Sequence, residues 1–123
     1  MLNVRSPAET YRTIDYDARV AGSSPQDLVI LSYEYFVAAL DAATFAHGRA
    51  DNARKSAALT RALAMLTSLQ LGIDPRSPLA IALDGLYGSA RRAVLASVIR
   101  FDANALRRVR DDFAEIAAAF VGS

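Results

Sequence analysis

From Ser24 onward, helix-breaking signals cut the chain into four stretches of about twenty residues, and each repeats its apolar residues at spacings of three and four. That pattern suits bundled helices. The first stretch opens with Ser24-Pro25-Gln26-Asp27: Ser24 can accept the free amide hydrogens of a first turn, Pro25 has no hydrogen to lose there, and Asp27 stands where a capping-box acid belongs. A helix is expected over 25–46, closed by His47-Gly48, with Gly48 supplying a left-handed terminus.

A second helix, 51–71, carries Leu59, Leu63, Leu66 and Leu69 as one stripe. Gly72-Ile73-Asp74-Pro75-Arg76-Ser77-Pro78 then interrupts the pattern, and Ser77-Pro78 repeats the opening signal for a third helix over 78–100. Its inward set is read as Leu79, Leu83, Leu86, Ala90, Ala93, Val94 and Ile99, with Gly85 and Gly88 inside the helix. Asp102 caps a fourth helix, 102–121, in which Leu106, Val109, Phe113, Ile116 and Phe120 step along one seam. Short connections between such helices predict an all-α fold, an antiparallel up-down four-helix bundle spanning 24–121. Residues 1–23 fit no helix of the bundle, and they are expected to form a mobile segment or a short extra helix packed on it.

At 123 residues one domain is expected, and without cysteine neither a disulfide framework nor a thiolate metal site can form. A net charge of +1 provides no field for a phosphate backbone, so nucleic acid is not an expected partner. The first residues lack the apolar run of a signal peptide and no uninterrupted run reaches membrane-spanning length, so membrane insertion is not expected and the cytoplasm is the expected location.

The chemistry of catalysis is thinly represented. The single histidine, His47, falls at a helix end, where a cap or solvent role is the plain reading. No second histidine, cysteine or helical acid pair accompanies it, and no glycine-rich phosphate loop follows a strand. Arg107-Arg108 and Asp111-Asp112 read as a solvated helix face. Neither enzyme activity nor a cofactor or metal is expected.

The first helix is the exception to an ordinary pattern. Leu28, Val29, Ile30, Leu31, Tyr33, Tyr35, Phe36, Val37 and Leu40 spread over more than one stripe, so the helix is either central or covered by something else. It carries Asp27, Glu34 and Asp41 without a base, while the third helix carries Arg91, Arg92 and Arg100 against Asp84. Attraction between these two helices as neighbours is the expected use of that asymmetry.

Ser24-Pro25-x-x-Leu28-Val29-x-x-x-Tyr33-Glu34 resembles the Ser-Pro-x-x-Leu-Val-x-x-Leu-Tyr-Asp signature of the FliS family of flagellar secretion chaperones. Leu83-x-x-Leu86-Tyr87, then Arg91-Arg92, then Asp102 with Ala105-Leu106 and Val109 extend the resemblance along nearly the whole chain. Ser32, Glu34 and Tyr35 depart from the family pattern.

The resemblance implies a cytoplasmic protein that binds the disordered C-terminal segment of flagellin, blocks premature polymerisation and delivers it to a component of the flagellar type III export gate. Leu28, Leu31, Tyr33, Tyr35 and Phe36 are the expected flagellin contacts, with core filling the plainer role for Leu28 and Phe36. Tyr11, Ile14, Tyr16 and Val20 would form an N-terminal lid over the groove. The alternative is a self-associating bundle without a flagellin client, a weak homodimer joined through the first helix.

Overall fold

The computed structural model describes Gly22 and residues 24–121, and the described residues form four helices with no strand. They are α1, Pro25–Gly48; α2, Asn52–Leu71; α3, Ala80–Ile99; and α4, Ala103–Val121. Three of the four starts are made by the side chains the sequence offers. Ser24 Oγ accepts from the Asp27 amide at 3.2 Å, Asp51 Oδ1 from Arg54 at 3.1 Å and Asp102 Oδ1 from Ala105 at 3.0 Å, each satisfying an amide that the helix itself leaves unpaired.

The ends depart from expectation in two places. Gly48 is the last residue of α1 and has no positive φ; the left-handed residue is Ala50, with φ 53°, at the turn into α2. The Asp51 amide donates back to the Ala46 carbonyl at 2.9 Å, which fixes that turn without a glycine in the strained position. Likewise α3 begins at Ala80 rather than Pro78. Asp74 Oδ1 accepts from the Arg76 amide at 2.9 Å and Ser77 Oγ from the Leu79 amide at 3.1 Å, so Ser77-Pro78 closes a turn before the helix opens.

The helices form a ring in which α1 packs on α2 and α4, α2 on α3, and α3 more thinly on α4. Ala39 and Ala43 of α1 and Ala58 and Ala62 of α2 are buried in the common core, and their small side chains suit closely approaching backbones. The α1–α4 pairs Phe36–Phe113 and Asp41–Arg110, followed by His47–Phe101 at the corner before α4, step upward along α1 and downward along the partner segment. By length and composition α1 could cross a membrane, but in the bundle it is a core helix. Its apolar surplus is largely covered by α2 and α4.

On α2 the expected stripe is inward, with Leu59, Leu66 and Leu69 buried and Leu63 half-buried. The seam of α4 ends differently from expectation: Leu106, Phe113 and Ala117 are buried, whereas Phe120 is exposed. On α3 the correction is larger. Tyr87, Ala90, Val94 and Ser97 face inward, while Leu79 and Ile99 are exposed. Ser97 can be buried because its hydroxyl accepts from the Asp102 amide at 3.3 Å at the corner between α3 and α4.

The charge asymmetry also resolves differently. With α3 across the ring from α1, Asp41 takes Arg110 of α4 at 3.1 Å, and Arg91 of α3 donates to Gln70 Oε1 at 2.7 Å and Thr67 Oγ1 at 2.8 Å on α2. Asp41 and Arg91 thus serve contacts between neighbouring helices, not the diagonal pair.

Candidate functional site

Of the five α1 side chains expected at a groove, Leu31, Tyr33 and Phe36 are 4%, 1% and 0% exposed, and Leu28 and Tyr35 are half-buried. A client reaching the first three would have to part the helices. The Tyr33 and Tyr87 hydroxyls lie 2.8 Å apart, joining α1 to α3 through the middle of the bundle. Phe113 of α4 fills the space beside them, its ring centroid 5.0 Å from Tyr33, 4.6 Å from Phe36 and 6.1 Å from Tyr87. This aromatic cluster is a three-helix joint. Burial pushes both phenols above their ordinary range; the mutual bond adds to the rise at Tyr33 and opposes it at Tyr87. Neither phenol is placed to act as a base at neutral pH.

The open surface lies farther along α1, where it meets α4. There a groove of about 500 Å³ is lined by Leu40, Asp41, Thr44 and Phe45 on one side and by Ala103, Leu106, Arg107, Arg110 and Asp111 on the other. Leu40 and Leu106 are buried and give it an apolar floor, while Phe45, 63% exposed, stands at its wall. Arg110 crosses the groove to Asp41, at 3.1 and 3.4 Å, and also meets Asp111 at 3.2 Å. These carboxylates, Asp41 foremost, hold the guanidinium still more firmly in its charged form. An apolar floor between charged rims is the form that receives an amphipathic helix.

A second cluster closes the same end of the bundle. The His47 ring stacks on Phe101 at 4.1 Å and 17°, and Lys55 Nζ lies 3.2 Å from His47 Nδ1 and 5.5 Å over the Phe101 ring. Lysine can only donate, so the imidazole accepts at Nδ1 and carries its proton on Nε2. His47 therefore helps join the end of α1 to the corner between α3 and α4. Among the described residues no three His, Cys, Asp or Glu side chains gather as metal ligands.

Sequence reasoning missed the α1–α4 groove because its two walls come from opposite ends of the bundle sequence, Leu40 to Phe45 and Ala103 to Asp111. The available signal was local: Leu40, Asp41, Thr44 and Phe45 form an i, i+1, i+4, i+5 set on one helix flank. The expected lid residues Tyr11, Ile14, Tyr16 and Val20 lie outside the described residues. In comparison with known proteins, the family model for the flagellar protein FliS matches residues 7–122. No curated protein matches the chain.

Proposed function

The chain belongs to the FliS family, a family of flagellar export chaperones and not of enzymes, and from that premise we propose that it is a cytoplasmic chaperone for the C-terminal segment of flagellin. It holds this segment until delivery to the export gate and so prevents premature polymerisation. The observation that carries the reading is the family match over nearly the whole chain; the α1–α4 groove supports it with a surface of suitable chemistry.

The energetics favour a long contact. Ordering a disordered client costs roughly 1–2 kcal/mol per residue in backbone entropy, while apolar burial returns about 25 cal/mol per Å². Each ordered residue must therefore cover roughly 40–80 Å² of apolar surface to break even. A groove of about 500 Å³ seats a few side chains, so the client has to continue beyond it. Leu28 and Tyr35 are reachable without opening the core, whereas Leu31, Tyr33 and Phe36 act as the wall behind the contact. In the empty chaperone Tyr11, Ile14, Tyr16 and Val20 act as a lid, which lowers the apparent affinity by the fraction of time it is closed.

An equimolar amount of the chain should suppress filament growth from monomeric flagellin of the same bacterium, followed by light scattering. Phe45→Asp should weaken the suppression while leaving the fold intact, because Phe45 is mostly solvent-exposed. Unchanged filament growth with the folded wild-type chain would overturn the proposal.

A further inference from the structure

The net charge of +1 conceals an uneven layout. The connection after α1 and the connection after α3 share one end of the bundle, because the His47 ring stacks on Phe101 at 4.1 Å and Lys55 Nζ stands 5.5 Å over the same ring. Over residues 47–55 and 99–108 the chain places Arg49, Arg54, Lys55, Arg100, Arg107 and Arg108 against Asp51 and Asp102 alone. With six bases, two acids and His47 neutral, this end carries a surplus of four positive charges. About 30 Å away along α2, the start of α1, the α2–α3 connection and the second turn of α3 carry Asp27, Asp74 and Asp84 against Arg76.

The two acids at the basic end are engaged elsewhere. Asp51 Oδ1 and Asp102 Oδ1 accept amides of helix starts at 3.1 and 3.0 Å, and of the six bases only Arg54 pairs with either, reaching Asp51 at 3.5 Å. Arg49 lies over the Phe45 ring, 4.8 Å from its centroid. Among the described residues Arg49, Arg100, Arg107 and Arg108 enter no ion pair, and all four are exposed. Like charges held at one end repel one another, and a surface of opposite sign relieves that repulsion.

Two features select the kind of surface. The four guanidiniums stand on separate turns in full contact with water and converge on no buried anchor, which suits mobile anionic headgroups better than the fixed carboxylates of a folded partner. Beside them, Val98 and Ile99 in the last turn of α3 are 57% and 90% exposed, apolar side chains that the headgroup–acyl boundary of a lipid layer accepts. We propose that this end of the bundle docks on an anionic phospholipid surface without crossing it, the arginines among the headgroups and Ile99 at the acyl boundary. The bundle then stands end-on with its acidic end turned away. The inference stands on the charge layout and does not depend on the flagellin reading.

Sedimentation with lipid vesicles tests it on the full chain. At about 50 mM salt the chain should pellet with vesicles containing about one-third phosphatidylglycerol and stay in solution with pure phosphatidylcholine, and about 500 mM salt should release it, because screening shortens the reach of exposed charges. Arg100→Glu and Arg108→Glu, each alone, should weaken binding about tenfold or more, whereas Arg76→Glu, the same reversal at the other end, should change it by about twofold at most, with helicity retained by circular dichroism in all three. Because the chain has no cysteine, Ile99→Cys accepts a single environment-sensitive fluorophore, whose emission should shift to the blue on the anionic vesicles. No pelleting at low salt, equal pelleting with both kinds of vesicle, or equal losses for Arg76→Glu and Arg100→Glu would overturn the proposal. Binding to polyglutamate without binding to vesicles would assign this end to an acidic polypeptide, and self-association at low salt without vesicle binding would assign it to the acidic end of a second copy; either result also overturns it.

Discussion

Phe113→Ala should lower the unfolding free energy by about 3–5 kcal/mol, enough to leave a domain of ordinary stability marginal at room temperature. Phe113 is fully buried and contacts Tyr33 and Phe36 of α1 and Tyr87 of α3. Truncation would open a void at the joint of three helices. Because α3 and α4 share the thinnest pairing in the ring, little else there can compensate. Chemical denaturation should show a lower midpoint with an unchanged slope, as two-state unfolding requires. A loss below about 1 kcal/mol would mean that the site collapses readily and that the cluster does not act as the joint of the three helices.

The chain should also lose stability steeply above pH 10, more steeply than its Tyr33→Phe/Tyr87→Phe variant. Both phenols have folded-state values raised above the ordinary 10.0, chiefly by burial. Above pH 10 the unfolded chain releases these protons while the folded chain keeps them, so the unfolded state binds fewer protons and stability falls as pH rises. Below pH 10 that contribution is fully present. Each tyrosine's slope grows through pH 10 toward a limit of about 1.4 kcal/mol per pH unit, held until its folded-state value is reached. Urea unfolding at pH 9, 10 and 11 measures the slope, and equal slopes for the wild type and the double variant would contradict this assignment. Replacing Tyr87 alone by Phe leaves the buried Tyr33 hydroxyl without its partner, at a cost of about 1–3 kcal/mol; replacing both should be closer to neutral.

The parts of the fold legible in the sequence are those decided within a few residues. Ser24, Asp51 and Asp102 mark helix starts because the groups they satisfy are three positions away, and the leucine stripe of α2 needs only helical period. What was hidden depends on distant parts of the chain. On α3 apolar residues lie on every side, so period alone could not choose between Ile99 outward and Tyr87 inward. That choice is made by Tyr33, fifty-four residues away, and by Ser97, whose burial waits on the Asp102 amide. Similarly, the apolar excess of α1 was evident, but its division among α2, α4 and an open groove was not. Leu31, Tyr33 and Phe36 were distinguishable from Phe45 only once Leu106 and Phe113 stood opposite them. Ala50 carries the left-handed turn that Gly48 was expected to supply because hydrogen bonds from residues 49–51 back to 45–47 hold the connection in place.

The central claim is that this bundle captures the disordered end of flagellin by folding it along its surface. Calorimetric titration of the purified chain with the C-terminal flagellin segment tests it most directly. One segment should bind per chain, with favourable enthalpy opposed by entropy and a negative heat-capacity change from apolar burial. Removing residues 1–21 should tighten the interaction if the lid competes with the client. No binding heat at tens of micromolar across a range of temperatures, with the chain shown to be helical, would contradict the account.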